Sequence, residues 1–341
     1  MATLAQQAEL LKLARLLRTT PERLGFLAKL DVMALRALRA HVTATLFDAD
    51  RDLFQRLAAS SKLLPAAVTA LIAEKALGPL LCARIAGLLP AQRAADIATR
   101  LDDRFLADVC IELDPRQVRA LIADVPVNRV VAVALELARR REYITMARFV
   151  DCLPQPALRG IIEALRDDTV LLRIGFFVED PAALGAVIDL LPATRLRNMI
   201  VAALDDDAAL WAEALALINA IPAEQRRRVA SIAAALDDAH LAHLIERTQA
   251  QDLWEWLLPI VAEMDAAHHD RLAHVPALAD DGVLEALILA ADRKGLYPQL
   301  LPLVARMDAA VQTRAARVAE RLGPAVVQHL NQALRGVAAT A

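Results

Sequence analysis

The chain has 341 residues, of which 57% are hydrophobic and 4% aromatic, and its 39 basic and 42 acidic side chains give a formal net charge of −3. This near balance argues against binding to nucleic acid or acidic lipid through overall charge. The apolar residues are mainly Ala, Leu, Val and Ile, glycines number only 10, and the sequence has no clear alternating β-branched runs. The composition therefore predicts an all-α protein.

The sequence predicts no membrane-spanning or secretory segment. The longest run without Asp, Glu, Lys or Arg is residues 322–334, which is 13 residues long, whereas a spanning helix needs about 20 mainly apolar residues. Charges are spread through the N-terminal residues, unlike the apolar core of a secretory signal. Cys82, Cys110 and Cys152 are odd in number and widely spaced, which favours reduced thiols. We therefore expect a cytoplasmic protein, with peripheral membrane contact left open.

Residues 1–62 predict three or four helices that do not follow the repeat found in the rest of the chain. Thr20-Pro21-Glu22 has the composition of a helix start, with a capping residue, a proline in the first turn and an acidic residue. Terminal units of a repeat array are atypical because one of their faces is covered or solvated. We interpret residues 1–62 as a helical N-terminal cap and residues 63–341 as one continuous repeat array.

The repeat consists of an apolar pair, a proline, about three helical turns and a double aspartate, as in residues 190–206, LLPATRLRNMIVAALDD. Its prolines and aspartates are Pro90 with Asp102-Asp103, Pro154 with Asp167-Asp168, Pro192 with Asp205-Asp206, and Pro222 with Asp237-Asp238. Proline lacks an amide hydrogen and has a fixed φ, so it suits a helix start. Aspartate accepts a free amide proton at a helix N-terminus. Each unit predicts a short helix that begins near the proline and a second one that begins at the aspartates.

The most direct repeat lies in the C-terminal third. Residues 257–267, LLPIVAEMDAA, match residues 300–310, LLPLVARMDAA, at nine of eleven positions with an offset of 43. Asp237-Asp238 and Asp280-Asp281 share that offset. The period falls in the range of about 40–47 residues that is typical of HEAT and armadillo repeats. We infer a superhelical α-solenoid whose units of two to three short helices bury one another's apolar stripes.

The order LLP, helix, LDD, helix, LDP is clearest in residues 88–126. It resembles the cytosolic N-domain of MgtE-type magnesium transporters, and the resemblance extends over about residues 65–240. It implies a superhelix of short α-helices, related in style to HEAT solenoids. The chain has neither the transmembrane helices nor a β-containing nucleotide-sensing domain of those transporters, so neither a transport function nor any binding residue follows from the resemblance.

Histidines are the candidate metal ligands. Five of the seven fall within 35 residues: His240, His243, His268, His269 and His274. Imidazoles that converge from neighbouring helices could hold zinc or another transition metal. The sequence has no HExxH motif and no accompanying Cys pair, which favours partly exposed histidines on a solvated edge. The double aspartates could bind Mg²⁺, but helix capping explains their regular position better. We predict no metal and no cofactor.

Arginine clusters and tryptophans are the candidate partner-binding residues: Arg139, Arg140, Arg141, Trp211, Arg226, Arg227, Trp254 and Trp256. Consecutive arginines can hold a phosphate or an acidic partner, and a solvated face with local pairing is the favoured alternative. Two residues two positions apart do not share a helix face. We therefore expect one of Trp254 and Trp256 to be exposed, with an interface as one interpretation and edge packing as the other. The scarcity of aromatic residues argues against nucleic acid.

The sequence has no GxSxG motif, P-loop, Rossmann fingerprint or paired Cys–His context. We therefore predict a non-enzymatic scaffold that engages a protein partner through the concave surface of the solenoid, with residues 139–160 and 210–260 as the contact regions. One alternative is a carrier or sensor of an apolar small molecule in an internal tunnel, suggested by sparsely charged stretches such as residues 127–137 and 174–178. A weaker alternative is a metal-dependent enzyme at the histidines between His240 and His274.

Overall fold

The computed structural model describes residues 3–48, 54–56, 58–59, 64–205 and 210–340. Within these residues the regular structure is helical and contains no strand, which confirms the all-α prediction. The contacts divide the chain into two compact units, unit 1 over residues 1–183 and unit 2 over residues 184–341. The predicted boundary between residues 62 and 63 lies outside the described residues, as does Asp206 of the third aspartate pair.

Unit 1 consists of short helices. Its α-helices are α1 (Leu4–Leu16), α2 (Val32–Asp48), α3 (Ala66–Ile72), α4 (Gly78–Ala86), α5 (Ala91–Ala98), α6 (Asp103–Glu112), α7 (Arg119–Asp124), α8 (Val127–Arg139), α9 (Tyr143–Phe149), α10 (Gln155–Ala164) and α11 (Asp168–Phe177). It also contains 3-10 helices at Pro21–Lys29 and Pro115–Gln117, and a π-helical turn, Ala73–Leu77, joins α3 to α4.

Unit 2 also consists of short helices, and its first helix begins three residues before the unit boundary. Its α-helices are α12 (Pro181–Leu190), α13 (Ala193–Asp205), α14 (Leu210–Ala220), α15 (Ala223–Ala234), α16 (Asp238–Ala250), α17 (Trp254–Ala262), α18 (Ala266–Ala273), α19 (Asp281–Lys294), α20 (Tyr297–Val304), α21 (Ala309–Leu322) and α22 (Pro324–Thr340). A 3-10 helix, Pro276–Ala279, precedes α19.

Helices two places apart in the chain pack against each other in both units. The pairs in unit 1 are α3 with α5, α5 with α7, α4 with α6, α6 with α8, α8 with α10, and α9 with α11. Those in unit 2 are α13 with α15, α15 with α17, α17 with α19, α19 with α21, α18 with α20, and α20 with α22. Short helices need such neighbours, because an isolated helix of this length is marginal in water.

Most predicted helix starts are confirmed. The first aspartate of four pairs is an N-cap whose carboxylate accepts a main-chain N–H: Asp102 from Arg104, Asp167 from Thr169, Asp237 from His240, and Asp280 from Gly282 and Val283. Pro90, Pro126, Pro154 and Pro222 occupy the N-cap position of α5, α8, α10 and α15. Thr20-Pro21-Glu22 also begins a helix, but it is a 3-10 helix in which Leu24 alone is buried.

The proline of the 43-residue repeat does not start a helix. Pro259 lies inside α17, and Pro302 lies inside α20. Both helices begin earlier, at Trp254 and Tyr297, whose side chains are buried. Burial of a large aromatic side chain in the first turn stabilises the earlier start, even though an interior proline removes one main-chain hydrogen bond.

One helical stretch among the described residues, Ala66–Ala86, has the length and apolar composition that a membrane crossing requires. The stretch contains Glu74 and Lys75, so it is not one of the charge-free runs of the sequence. Its first half packs into a cluster of buried residues that includes Ile97 and Leu101. Core helices of soluble proteins have the same length and composition, so this finding assigns no membrane to the chain.

The three cysteines are free thiols in unit 1, in keeping with the expected absence of a disulfide framework. Cys152 is buried, and Cys82 and Cys110 are partly buried. Burial raises the pKa of Cys82 to about 11 and that of Cys110 to about 12. Burial, together with the nearby Asp151 carboxylate, raises the pKa of Cys152 to about 11.

Candidate partner-binding surface

Three basic side chains lie along α1 and just beyond its C-terminal end: Lys12, Arg15 and Arg18. They are named the basic row. Their spacing places Lys12 and Arg15 on one face of the helix. Arg18 lies just beyond α1 in a left-handed conformation with a φ of 51°. Each of the three pairs with a carboxylate that is 94 to 167 residues away in the sequence, so the basic row joins distant parts of unit 1.

The partners of the basic row are Glu112, Glu142 and Glu179, named the acidic row. Glu112 is the last residue of α6, Glu142 precedes α9, and Glu179 follows α11. The ion pairs are Lys12 Nζ with Glu179 Oε1 at 3.0 Å, Arg15 Nη2 with Glu142 Oε2, and Arg18 Nη2 with Glu112 Oε1 at 3.0 Å. α1 therefore lies across the ends of three helices and contributes one cation to each.

A second helix reinforces these contacts around the buried carboxylate of Glu9. Glu9 accepts from Lys12 Nζ at 3.3 Å, Arg36 Nε at 3.2 Å and Arg39 Nε at 3.0 Å. Arg39, from α2, also reaches Glu179 Oε1 at 2.7 Å. Burial acts to raise the pKa of Glu179, but the charges of Lys12 and Arg39 outweigh it and hold the pKa below its ordinary value. Glu179 is thus ionised and held by both helices.

Residues 3–48 are named the N-terminal layer, and one cluster of buried apolar side chains is formed within this layer. Leu10, Leu13 and Ala14 of α1 form a cluster with Leu24 of the 3-10 helix and Leu35 of α2. The partly buried residues that complete this cluster, Leu16, Leu27, Ala28 and Leu38, belong to the same layer. α1 therefore directs apolar side chains toward its own layer and its basic row toward the acidic row.

Sequence reasoning missed both rows, because residues 1–62 were interpreted only as a cap. The Lys-x-x-Arg-x-x-Arg spacing at positions 12, 15 and 18 was a readable signal on a predicted helix. The acidic row has no local signal. Its members are 30 and 37 residues apart in the sequence and come together only when the helices stack.

The first predicted arginine cluster is largely engaged in local pairing. Glu136 accepts from Arg139 and from Arg140, each at 2.7 Å, and Arg140 also reaches Asp108 at 2.5 Å. Hydrogen bonds from the two arginines lower the pKa of Glu136 to about 2. Arg141 is exposed and has a φ of 59° at the end of α8. Two of the three guanidinium groups are therefore already held by carboxylates.

The second arginine cluster lies beside a partly exposed tryptophan in unit 2. Arg226 pairs with Glu263 at 2.8 Å and donates to the main-chain oxygen of Asn219 at 3.1 Å. Asn219 in turn donates to the main-chain oxygen of Trp256 at 2.9 Å. Arg227 is exposed, and 36% of Trp256 is exposed. Of the predicted residues in unit 2, Arg226 and Trp256 are the two that the structure links, through Asn219.

The other two tryptophans lie in the core of unit 2, so neither presents its ring to a partner. Trp211 and Trp254 are each 3% exposed. The indole N–H of Trp211 donates to Thr248 Oγ1 at 3.1 Å, and that of Trp254 donates to Gln249 Oε1 at 2.6 Å. Helical spacing explains the contrast along α17, where Trp254 is buried while Trp256 is partly exposed, as predicted.

The histidines make local hydrogen bonds instead of converging on one point. The Nδ1 atoms of His240 and His268 lie 2.7 and 2.6 Å from the N-cap carboxylates of Asp237 and Asp265. His243 Nε2 lies 3.2 Å from the main-chain oxygen of Leu204, His269 Nε2 lies 2.9 Å from that of Val261, and His274 Nδ1 lies 2.7 Å from that of Asp270. Among the described residues, no three His, Cys, Asp or Glu side chains group as metal ligands.

An apolar cavity of about 60 Å³ lies in the core of unit 2, lined by residues that include Trp211, Leu215, Leu244, Trp254 and Leu258. An apolar cavity that binds benzene measures about 150 Å³. The space is therefore too small for a lipid-like ligand in this conformation and does not favour the carrier alternative.

In comparisons with protein-family models, curated proteins and solved structures, nothing matches this chain. The resemblance to the MgtE N-domain therefore stays a prediction.

Proposed function

We propose that this chain is a non-enzymatic binding scaffold, an α-solenoid in which the concave side of unit 1 binds a helical segment of a protein partner at the acidic row. The observation that carries the proposal is α1, a helix already held there by ion pairs to the ends of three other helices. Recognition of a helix in a groove uses such regularly spaced contacts. A cytoplasmic location, expected from the unpaired thiols, belongs to the same proposal.

The packing order within each unit supports the solenoid. Stacked repeats place each helix against its counterpart in the next repeat, so contacts recur at about one repeat length. Several hydrogen bonds have that reach. Arg148 donates to the main-chain oxygen of Leu113, 35 residues away, and Arg247 donates to that of Leu204, 43 residues away.

Small-angle X-ray scattering tests the solenoid. A single compact domain of this length has a radius of gyration of about 20 Å, and we expect an extended array to exceed that value clearly. A radius near 20 Å for the monomer would rule out the superhelix.

Affinity purification with quantitative mass spectrometry tests the binding surface. The triple variant E112K/E142K/E179K reverses the acidic row, and D124K/E163K/E285K reverses three exposed carboxylates elsewhere. We expect at least one protein to be captured by the wild type and by the control but lost from the acidic-row variant. Identical sets of captured proteins from all three chains would remove the acidic row from the function.

A further inference from the structure

We propose that the N-terminal layer is a displaceable cover of the acidic row, and that the partner that replaces it presents a basic amphipathic helix with cations three residues apart. The inference rests on the proposed function, because it names the partner chemistry and the regulation of the same surface. In the covered state α1 takes the place of the partner's helix and keeps the surface closed.

The N-terminal layer keeps its apolar core when it separates from the acidic row. The cluster built on Leu13 of α1 and Leu35 of α2 draws all its members from residues 10–38. Apolar burial is the main favourable term in folding. Because this burial is internal to the layer, displacement does not require these side chains to be exposed to water.

The buried charge of the layer is also balanced internally. Glu9 is 2% exposed and pairs with Lys12, Arg36 and Arg39, all of which belong to the layer. Breaking a buried ion pair is costly when one partner leaves and the other stays buried. Displacement of the layer moves Glu9 and its three cations together, so the Glu9 carboxylate keeps its ion-pair partners.

At the acidic row, displacement breaks the contacts of Glu179 with Lys12 and Arg39, whose side chains are 5% and 16% exposed, and two ion pairs that are partly solvated. The Arg18 side chain is 72% exposed and that of Glu112 30%, while those of Arg15 and Glu142 are 32% and 22% exposed. Exposed ion pairs contribute little to stability and weaken with salt. A partner with the same charge pattern and additional contacts therefore competes successfully with α1.

Charge selects the class of partner. Removal of the basic row takes one ion-pair partner from each carboxylate of the acidic row, while Arg84 and Arg116 of unit 1 still act electrostatically on Glu112 and Glu179. A helix with Lys or Arg at positions i and i+3, followed just beyond its C-terminal end by a third cation at i+6, replaces all three ion pairs, as Lys12, Arg15 and Arg18 do. Nucleic acid and acidic protein segments are repelled by the same carboxylates.

The cover acts as a competitor that is always present. A tethered ligand has an effective concentration of about 1 mM or more at its site. The apparent association constant of a free ligand is therefore that of the open state multiplied by the fraction of chains that are open. Weakening the cover without altering the acidic row must raise the apparent affinity for a free basic helix.

The probe is a fluorescein-labelled synthetic peptide with the sequence of residues 3–19, TLAQQAELLKLARLLRT, and binding to the full chain is followed by fluorescence anisotropy at low salt. We expect R15E/R18E to bind the peptide at least about tenfold more tightly than the wild type does, and hydrogen exchange of residues 4–16 to increase in the same variant. Adding E112K and E142K to R15E/R18E is expected to abolish the gain.

The matched control is R159E/R317E, which reverses two exposed arginines outside the layer and should bind as the wild type does. R18E alone, at a largely exposed side chain, repeats the test with little risk to folding, and circular dichroism verifies the helix content of each variant. Equal affinity of wild type and R15E/R18E, including no binding by either, overturns the cover. A gain that survives E112K and E142K places the peptide elsewhere and also overturns it.

The two proposals fail separately. Should the acidic-row variant lose a captured protein while R15E/R18E gains no affinity for the peptide, the scaffold stands and the cover is wrong. Should the peptide bind as expected while the acidic-row variant captures the same proteins as the wild type, the cover stands and the partner interaction assigned to this surface is wrong.

Discussion

Arg271 of α18 donates a hydrogen bond from its guanidinium group to the main-chain oxygen of Leu236, between the end of α15 and the start of α16. Equivalent arginines recur at intervals of 43 residues: Arg228 donates to the oxygen of Leu191 at 2.8 Å, and Arg314 donates to that of Ala279 at 2.5 Å, so that the acceptors are 45 and 43 residues apart. The last carbonyl groups of a helix lack partners within it. Each arginine supplies a donor to the preceding repeat, which gives the 43-residue period a structural role.

We expect R271M to lower the free energy of unfolding of unit 2 by about 1 kcal/mol, the usual net value of one hydrogen bond. All three tryptophans lie in unit 2, so the fluorescence change in a urea titration reports on this unit. R227M removes an exposed arginine and should change stability by less than about 0.5 kcal/mol. Equal midpoints for the two variants would show that the contact with Leu236 adds nothing.

Helix starts were predictable from the sequence because their chemistry is local. Asp102 and Asp167 cap the helices that follow them, as their position after an apolar helix indicated. The interior position of Pro259 was not predictable from its own neighbours. It depends on the burial of Trp254 one turn earlier, which is a property of the assembled core.

The candidate site was predictable only in part, for the same reason. The three-residue spacing of Lys12, Arg15 and Arg18 can be read from the sequence, but their partners are fixed by helix stacking. The tryptophans illustrate the limit. One of Trp254 and Trp256 was expected to be exposed, and Trp256 is partly exposed while Trp254 is buried. Nothing local indicated that Trp211 is buried against Thr248.

A substitution at Thr248 tests how much the buried hydrogen bond between Trp211 and Thr248 stabilises unit 2. Its side chain is fully buried, accepts from the Trp211 indole and donates to the main-chain oxygen of Leu244 at 2.8 Å. T248V keeps the shape of the side chain but leaves the indole N–H buried without an acceptor, which costs about 1–3 kcal/mol. We expect the urea midpoint to fall accordingly. T99V, at an exposed threonine, serves as the control, and a T248V midpoint equal to that of T99V would contradict the prediction.

The thiols should react slowly with Ellman's reagent at pH 8. Burial raises the pKa of Cys82 to about 11 and of Cys110 to about 12, from 9.0, so the reactive thiolate is about 100- to 1,000-fold rarer than in a free cysteine. We expect fast modification only after unfolding in guanidinium chloride. R227C adds an exposed thiol to the same chain and should react first. Native thiols that react as fast as the added thiol of R227C would contradict the burial assigned to them.

Attachment of the N-terminal layer should weaken in acid through Glu179, whose pKa lies below its ordinary value of 4.5. A carboxyl group with a lowered folded-state pKa contributes stability that is present above pH 4.5 and is lost as the pH falls through the folded-state value. Lys12 and Arg39 face Glu179 from α1 and α2, and the charge of Arg116 also acts on it. Loss of the contribution therefore reflects protonation of the carboxylate.

The neutral variant E179Q isolates this effect. We expect E179Q to unfold at lower urea than the wild type at pH 6, and the two urea midpoints, followed by circular dichroism, to converge between about pH 4.5 and pH 3. E163Q, at an exposed glutamate, controls for the general effect of losing one negative charge and should follow the wild type at every pH. A gap between wild type and E179Q that persists at pH 3 would mean that the geometry of the side chain, and not its charge, holds α1 and α2 in place.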